Sequence, residues 1–170
     1  MVNDAVRDLL KERKTPEHVV QGGIEGLASA WEATVKAAQK GYTRGLDAWR
    51  NEVDARHLAS IVIEVTHPMQ RKSIKLRLDA ADAKFWKACE SFDASVWGAA
   101  NAEKEKWSAT KEWWYFLVPK KAGAELTADL AKISGGKKPA AAKAAADPAA
   151  TKKAATKPTS TSSAKKTARK

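Results

Sequence analysis

Hydrophobic and small residues recur along the first third of the chain in steps of four, three and four. Three steps add up to eleven residues, or about 3.67 residues per turn, so the apolar stripe runs nearly parallel to the axis of a straight helix. The pattern therefore predicts long amphipathic helix rather than a left-handed supercoil. The stripe consists of Val20, Ile24, Leu27, Trp31, Val35, Ala38, Tyr42, Leu46, Trp49 and Val53.

A weaker form of the same period occurs in the second half, where Glu103 and Lys111 interrupt the flanking rows. Between the halves lies HPMQRKS (67–73), in which Pro68 is expected to break or restart a helix. Two segments of about 50 residues would each be about 75 Å long if they were continuous helix. We therefore predict an all-α fold, an elongated antiparallel helical hairpin or bundle. The second row is Ile74, Phe85, Val96, Trp107 and Val118.

The residues around the bend also fit another structure. SIVIEVT (60–66) and SIKLRLD (73–79) both alternate with period two, which is typical of strands. Ile61, Ile63 and Val65 could then face Ile74, Leu76 and Leu78. A small β-hairpin near 60–79 is therefore the alternative.

Short helices are predicted at both ends of the long segments. Asn3 or Asp4 can cap a helix over 3–14, and Thr15 with Pro16 is typical of the start of the next helix. After Pro119, the segment 122–136 predicts a short helix with Leu126, Leu130 and Ile133 on one face.

The composition changes sharply after residue 136, since 137–170 contains no aromatic residue and no Leu, Ile, Val or Met. Such a segment cannot bury enough apolar surface to offset its ordering entropy, so we predict a helical domain (1–136) and a disordered tail (137–170). The tail has ten Lys or Arg and one acid, a net charge of +9, against 21 basic and 19 acidic residues in the rest.

The tail chemistry predicts non-specific binding to DNA or another polyanion, because lysines without aromatic residues neutralise phosphates but do not read bases. A solubilising linker and a segment that binds an anionic membrane are the alternatives. The candidate nucleic-acid-binding residues are Lys137, Lys138, Lys143, Lys152, Lys153, Lys157, Lys165, Lys166, Arg169 and Lys170.

Seven tryptophans are a large number for 170 residues. They fit either a thick bundle core or an exposed apolar face, where an amphipathic ring is favoured at an interface. Under the second interpretation, the candidate apolar surface is Trp31, Trp49, Trp86, Trp97, Trp107, Trp113 and Trp114.

Motifs for catalysis are weak. The three histidines (His18, His57 and His67) match no metal-binding spacing and are interpreted as surface residues. Cys89 is the only cysteine, interpreted as a small buried residue, and GGIEG (22–26) lacks the ending of a phosphate loop. We expect no enzyme activity, no cofactor and no metal.

The charged N-terminus and the lack of a membrane-length apolar run favour a cytoplasmic protein without a transmembrane segment.

The tail sequence KKPAAAKAAADPAATKKAATKP resembles the C-terminal tails of linker-histone-like proteins. A helical domain joined to such a tail resembles one group of phasins, the proteins that coat polyhydroxyalkanoate granules. The resemblance implies a structural adaptor whose helical part covers the granule and whose tail attaches it to the nucleoid. The alternative is a nucleoid-associated DNA-binding protein whose helical domain only oligomerises through partner helices. A homo-oligomer that is granule- or nucleoid-associated is expected in either case.

Overall fold

The computed structural model describes residues 3–134, so the lysine-rich segment lies outside the described residues. Within this range the chain forms six α-helices and two short strands, with 3₁₀ turns at Ile63–Val65 and Trp113–Phe116. The elements are α1 (Asp4–Glu12), α2 (Glu17–Lys40), α3 (Leu46–Val62), α4 (Pro68–Ala88), β1 (Cys89–Ser91), α5 (Ala99–Lys104), β2 (Leu117–Pro119) and α6 (Ala124–Ile133).

Helices α2, α3 and α4 run up, down and up, so α3 is antiparallel to both of its neighbours. The parallel course of α2 and α4 is clear from two side-chain contacts. Gln70 donates to Glu25 at 3.3 Å, and about two turns further along both helices Arg77 donates to Glu32 at 2.9 Å. The prediction of an all-α antiparallel bundle is confirmed.

The first apolar stripe is buried along its whole length, and none of its ten residues is more than 7 % exposed. It does not lie on one helix, however. Helix α2 ends at Gly41, whose φ of +123° favours glycine, and the chain reverses before α3 begins. The stripe is therefore divided between two antiparallel helices, α2 and α3, and the prediction of one continuous helix through this region is wrong.

The reversal is held by backbone pairing with a distant part of the chain. The Tyr42 N–H donates to the Lys121 carbonyl at 2.9 Å, and the Gly123 N–H donates to the Tyr42 carbonyl at 2.7 Å. Because these bonds satisfy the turn backbone, the Tyr42 ring stays in the core at 1 % exposure.

The second long segment is continuous helix only as far as Ala88, and the short helix α5 follows further along it. Strand β1 then pairs with β2 in an antiparallel register that places Cys89 opposite Pro119 and Ser91 opposite Leu117. The second eleven-residue row is therefore not one helical face. Val96 and Val118 are buried outside any helix, at 0 % and 1 % exposure.

The alternative β-hairpin near 60–79 is wrong. Helix α3 continues to Val62, a 3₁₀ turn follows, and α4 begins at Pro68, which occupies the first helical position. The exposure pattern also has a helical period, since Ile74 and Leu78 are buried while Leu76 between them is 65 % exposed.

The short terminal helices form as predicted, with one difference at a cap. The Asn3 side chain accepts from the Ala5 N–H at 3.0 Å and caps α1, whereas the Thr15 hydroxyl donates to the Leu10 carbonyl at 2.8 Å instead of capping α2. Helix α6 buries Leu126 and Leu130. Across residues 3–134, no helix combines the length and the apolar character that a membrane span requires.

Candidate functional site

The tryptophans divide into two groups by burial. Trp31, Trp49, Trp113 and Trp114 lie in the core, none more than 8 % exposed. Trp86, Trp97 and Trp107 are half-buried and pack against that core. The exposed-face interpretation therefore does not apply to the first four, which pack as core residues.

An aromatic cluster fixes the centre of the bundle. The Phe85 ring stacks on Trp49 with centroids 5.7 Å apart and planes 10° apart, and it lies 4.5 Å from the Trp31 ring. Since these three residues belong to α4, α3 and α2, the cluster joins all three long helices.

A charged network lies beside this cluster. The Arg56 guanidinium donates to both Asp82 oxygens, at 2.9 and 2.7 Å, and the Trp31 indole N–H donates to the same carboxylate at 2.8 Å. Arg56 also lies over the Trp114 ring at 4.9 Å from its centroid. Both charged side chains are only 13 % exposed, so the network holds α3 to α4 from inside.

A cavity of about 560 Å³ opens to solvent where α3 meets the segment after β1, and we call it the aromatic cavity. Asp54 and His57 of α3 form part of its wall, together with Trp97, Trp107 and Tyr115. The Trp107 and Tyr115 ring centroids are 4.5 Å apart, and the His57 ring lies 5.4 Å from Tyr115.

Two groups in this cavity have perturbed ionisation. Burial raises the pKa of Tyr115, and the Asp54 carboxylate, which accepts the hydrogen bond of the Tyr115 hydroxyl, raises that pKa further. Burial lowers the pKa of His57 from 6.5, although Asp54 opposes this shift. His57 is therefore a neutral imidazole at pH 7.

Two buried nitrogen atoms of the aromatic cavity have no protein partner: Nδ1 of His57 and Nε1 of Trp97. A buried polar atom without a partner is costly unless water or a ligand satisfies it. Both atoms belong to residues that line the same cavity. Both atoms are shielded from solvent by the surrounding protein, so they are unsatisfied polar groups within the cavity wall.

A second cavity of about 800 Å³ lies along the outer side of the α2–α3 pair, and we call it the helix groove. Its α2 side is lined by small residues, among them Gly22, Gly26 and Ala30, and Ala48 and Ala55 lie across from them on α3. At its far end Arg44 pairs with Glu52, whose pKa is raised by burial.

The residues considered for catalysis or metal binding are not brought together. His18 and His67 are exposed and His57 is half-buried, so the surface interpretation does not apply to His57. Cys89 is buried, and burial raises the pKa of its thiol. In the part of the chain that the structure describes, no group of three or more His, Cys, Asp or Glu side chains could hold a metal ion.

The glycine-rich segment GGIEG (22–26) lies within α2 and interrupts its regular geometry. Gly23 adopts φ +53° and ψ −151°, and α2 kinks there. The segment is therefore part of a kinked helix rather than a loop.

Comparison with known proteins gives no family: no family model, no curated protein and no solved structure matches the chain. The resemblance to phasins and to linker-histone tails therefore rests on the residues alone. The candidate nucleic-acid-binding residues, Lys137 to Lys170, all lie outside the described residues.

The sequence did not reveal the aromatic cavity. Asp54 and His57 come from α3, while Trp97, Trp107 and Tyr115 come from irregular chain more than thirty residues later. Only the fold brings these segments together. The one local signal was the density of tryptophan after residue 85, which pointed to a surface or a core and not to a cavity.

Proposed function

We propose that this is a DNA-binding protein in which a closed helical body carries a cationic tail that holds the phosphate backbone. The observation that carries the proposal is the separation of charge. The tail has a net charge of +9 in 34 residues, while the remaining 21 basic and 19 acidic residues nearly cancel. A polyanion is the partner that such a segment attracts.

The residue types of the tail favour binding without sequence preference. Nine of its ten cations are lysines, which act as flexible point charges and lack the planar fork with which arginine reads guanine. Neutralising six to ten phosphates makes affinity fall by about 10³ to 10⁵ between 50 and 200 mM salt. We therefore expect steep salt dependence and similar affinity for unrelated sequences.

Burial of the first apolar stripe favours this function over a granule coat. A coat needs the stripe at the surface, whereas its ten residues are at most 7 % exposed in the bundle. Coating an apolar granule would therefore require α2 and α3 to separate and expose the cluster around Trp49 and Phe85. Granule association stays a prediction that rests on the resemblance alone.

The test compares the full chain with a fragment that ends at Gly136, using fluorescence anisotropy with a labelled DNA duplex over a range of salt concentrations. We expect the fragment to lose binding while its circular dichroism and melting temperature stay close to those of the full chain. A second control replaces the ten tail cations with glutamine and keeps the chain length. Retained DNA binding by the fragment would overturn the proposal.

The fragment that ends at Gly136 also tests whether the helical domain coats an apolar granule. We expect its tryptophan emission to be blue-shifted in buffer and unchanged by polyester particles, because the core tryptophans are already shielded from solvent. Adsorption with a large change in emission would mean that the bundle opens on an apolar surface.

A further inference from the structure

The aromatic cavity and the helix groove adjoin each other and together form a depression with two parts. Pro16, Asp54 and Leu58 line both of them, so the two meet at the start of α2 and the middle of α3. One end is walled by aromatic rings and polar atoms, and the other is a trough between two helices. A ligand that fills both ends must itself have two unlike parts.

The trough is open where a side chain would normally fill it. A Cβ placed on Gly22 or Gly26 would meet no heavy atom within 4 Å. From Val19 to Ala33 the groove follows fifteen residues of α2, which corresponds to about 21 Å of helix with the kink at Gly23 near one end. A narrow, mostly apolar trough of this length fits an extended alkyl chain.

The aromatic cavity has the features that hold an organic cation. The half-buried Trp97 and Trp107 supply ring surfaces, whereas the Tyr115 ring is 0 % exposed, and quaternary ammonium groups bind to aromatic ring faces by cation–π attraction. Asp54 supplies a half-buried carboxylate, whereas the other charged residues that line this cavity, Glu105 included, are exposed. Asp54 is therefore the half-buried charge of the cavity lining, while the Arg50 guanidinium already lies over the Trp97 ring at 5.3 Å from its centroid.

The rim of the aromatic cavity has the opposite charge. Arg13 and Lys14 line its edge and are exposed, and Lys14 has a φ of +55°, which places it in a turn between α1 and α2. An anionic group next to the buried cation would meet these two side chains.

We propose that this depression binds a single-chain amphiphile with a phosphocholine-type head. The trimethylammonium group lies against the rings and Asp54, the phosphate meets Arg13 and Lys14, and the alkyl chain lies in the helix groove beside Gly26. The site is independent of the DNA-binding tail and goes beyond the function proposed above.

The test is isothermal titration calorimetry of the full chain with dodecylphosphocholine, kept below its critical micelle concentration. Tryptophan emission is followed in parallel, because Trp97 and Trp107 line the cavity. We expect saturable binding at one site. We also expect affinity at least about tenfold lower for dodecyl maltoside, whose neutral head lacks both charges, and for phosphocholine without a chain.

Two substitutions separate the two parts of the site. Gly26→Leu fills the trough, and because nothing lies within 4 Å and leucine favours helix, this variant should fold with an equal or higher melting temperature. We expect it to weaken binding about tenfold or more. Asp54→Asn removes the interior charge but keeps an oxygen for the Tyr115 hydroxyl, and it should weaken the choline ligand more than the maltoside.

The matched control is Ala5→Leu, which adds the same side chain at an exposed helical position outside the groove and should leave the affinity unchanged. The proposal is overturned if the wild-type chain shows no saturable binding below the micelle concentration. It is overturned equally if Gly26→Leu binds as tightly as the wild type, or if the maltoside binds as tightly as the phosphocholine.

Discussion

The Arg56–Asp82 pair allows a sharp test of how the bundle is held together. Asp82 accepts hydrogen bonds from both Arg56 and the Trp31 indole, and the two charged side chains are each 13 % exposed. Removing one charge leaves the other inside the bundle without an opposite charge beside it. Removing both leaves only the neutral Trp31 N–H to be satisfied.

The two single variants and the double variant should therefore lose different amounts of the free energy of unfolding. Breaking a buried pair by deleting one partner typically costs about 3–5 kcal/mol, so we expect that loss in the free energy of unfolding for Arg56→Met and for Asp82→Leu. Asp82→Leu should lie at the upper end, because it also strands the Trp31 N–H. The double variant keeps that stranded N–H but no buried charge, and should lose about 1–3 kcal/mol.

The assay is urea unfolding of the four chains, followed by circular dichroism and tryptophan emission and analysed by linear extrapolation. The expected result is that the double variant is more stable than either single variant. The control is Arg7→Met at the Arg7–Asp4 pair, whose side chains are 46 % and 80 % exposed and whose loss should cost less than about 1 kcal/mol.

Additive losses would refute the reasoning. If the double variant were destabilised by the sum of the two single variants, Arg56 and Asp82 would act as independent groups. Losses below about 1 kcal/mol for each would mean that water solvates the pair as it does at a surface. Either result would contradict the conclusion that the Arg56–Asp82 pair holds α3 to α4 inside the bundle.

Three further outcomes follow from the structure. Phe85→Ala should lower the free energy of unfolding by about 3–5 kcal/mol, seen as a lower urea midpoint, because the ring is 0 % exposed and touches three helices. The pKa of His57 is lowered by burial from 6.5, so the unfolded chain takes up the proton first. Stability should therefore fall as pH drops below about 6.5 and level off below the folded pKa, and His57→Gln should reduce this fall in urea midpoint. The Cys89 thiol is buried with a raised pKa, so a thiol reagent should label it slowly in buffer and rapidly in denaturant.

The burial of the first stripe could be predicted from the sequence, because burial repeats with the helical period in both α2 and α3. The chain reversal between these two helices could not be predicted. Tyr42 and Leu46 continue the four-residue step across Gly41 and Gly45, and a pattern of apolar positions contains no information about chain direction. What decides the reversal is the backbone pairing of Tyr42 with Lys121 and Gly123, which are far away in sequence.

In the second half of the chain, the regular spacing of apolar residues wrongly suggested a single helical face. Ile74 and Phe85 lie on one face of α4, but Val96 and Val118, at the same spacing, are buried by loop and strand packing. A regular interval between apolar residues is therefore only a local argument for helix. At 73–79 the strand-like alternation failed because Leu76 is simply an exposed leucine on a helix, which is common on protein surfaces.

The charges of the body bear on whether the two proposed activities can be separated. Arg77 is held between Glu25 and Glu32 at 2.6 and 2.9 Å, so its positive charge is neutralised at short range and the group of three has a net charge of −1. Fields from such pairs fade over a Debye length of about 8–10 Å at physiological salt, so the body should contribute little to DNA affinity. Gly26→Leu should then leave DNA binding intact, and loss of the tail should leave dodecylphosphocholine binding intact. If instead one substitution removed both, the tail and the helix groove would have to be coupled, and the tail would be the first segment to test as a competing occupant of the groove.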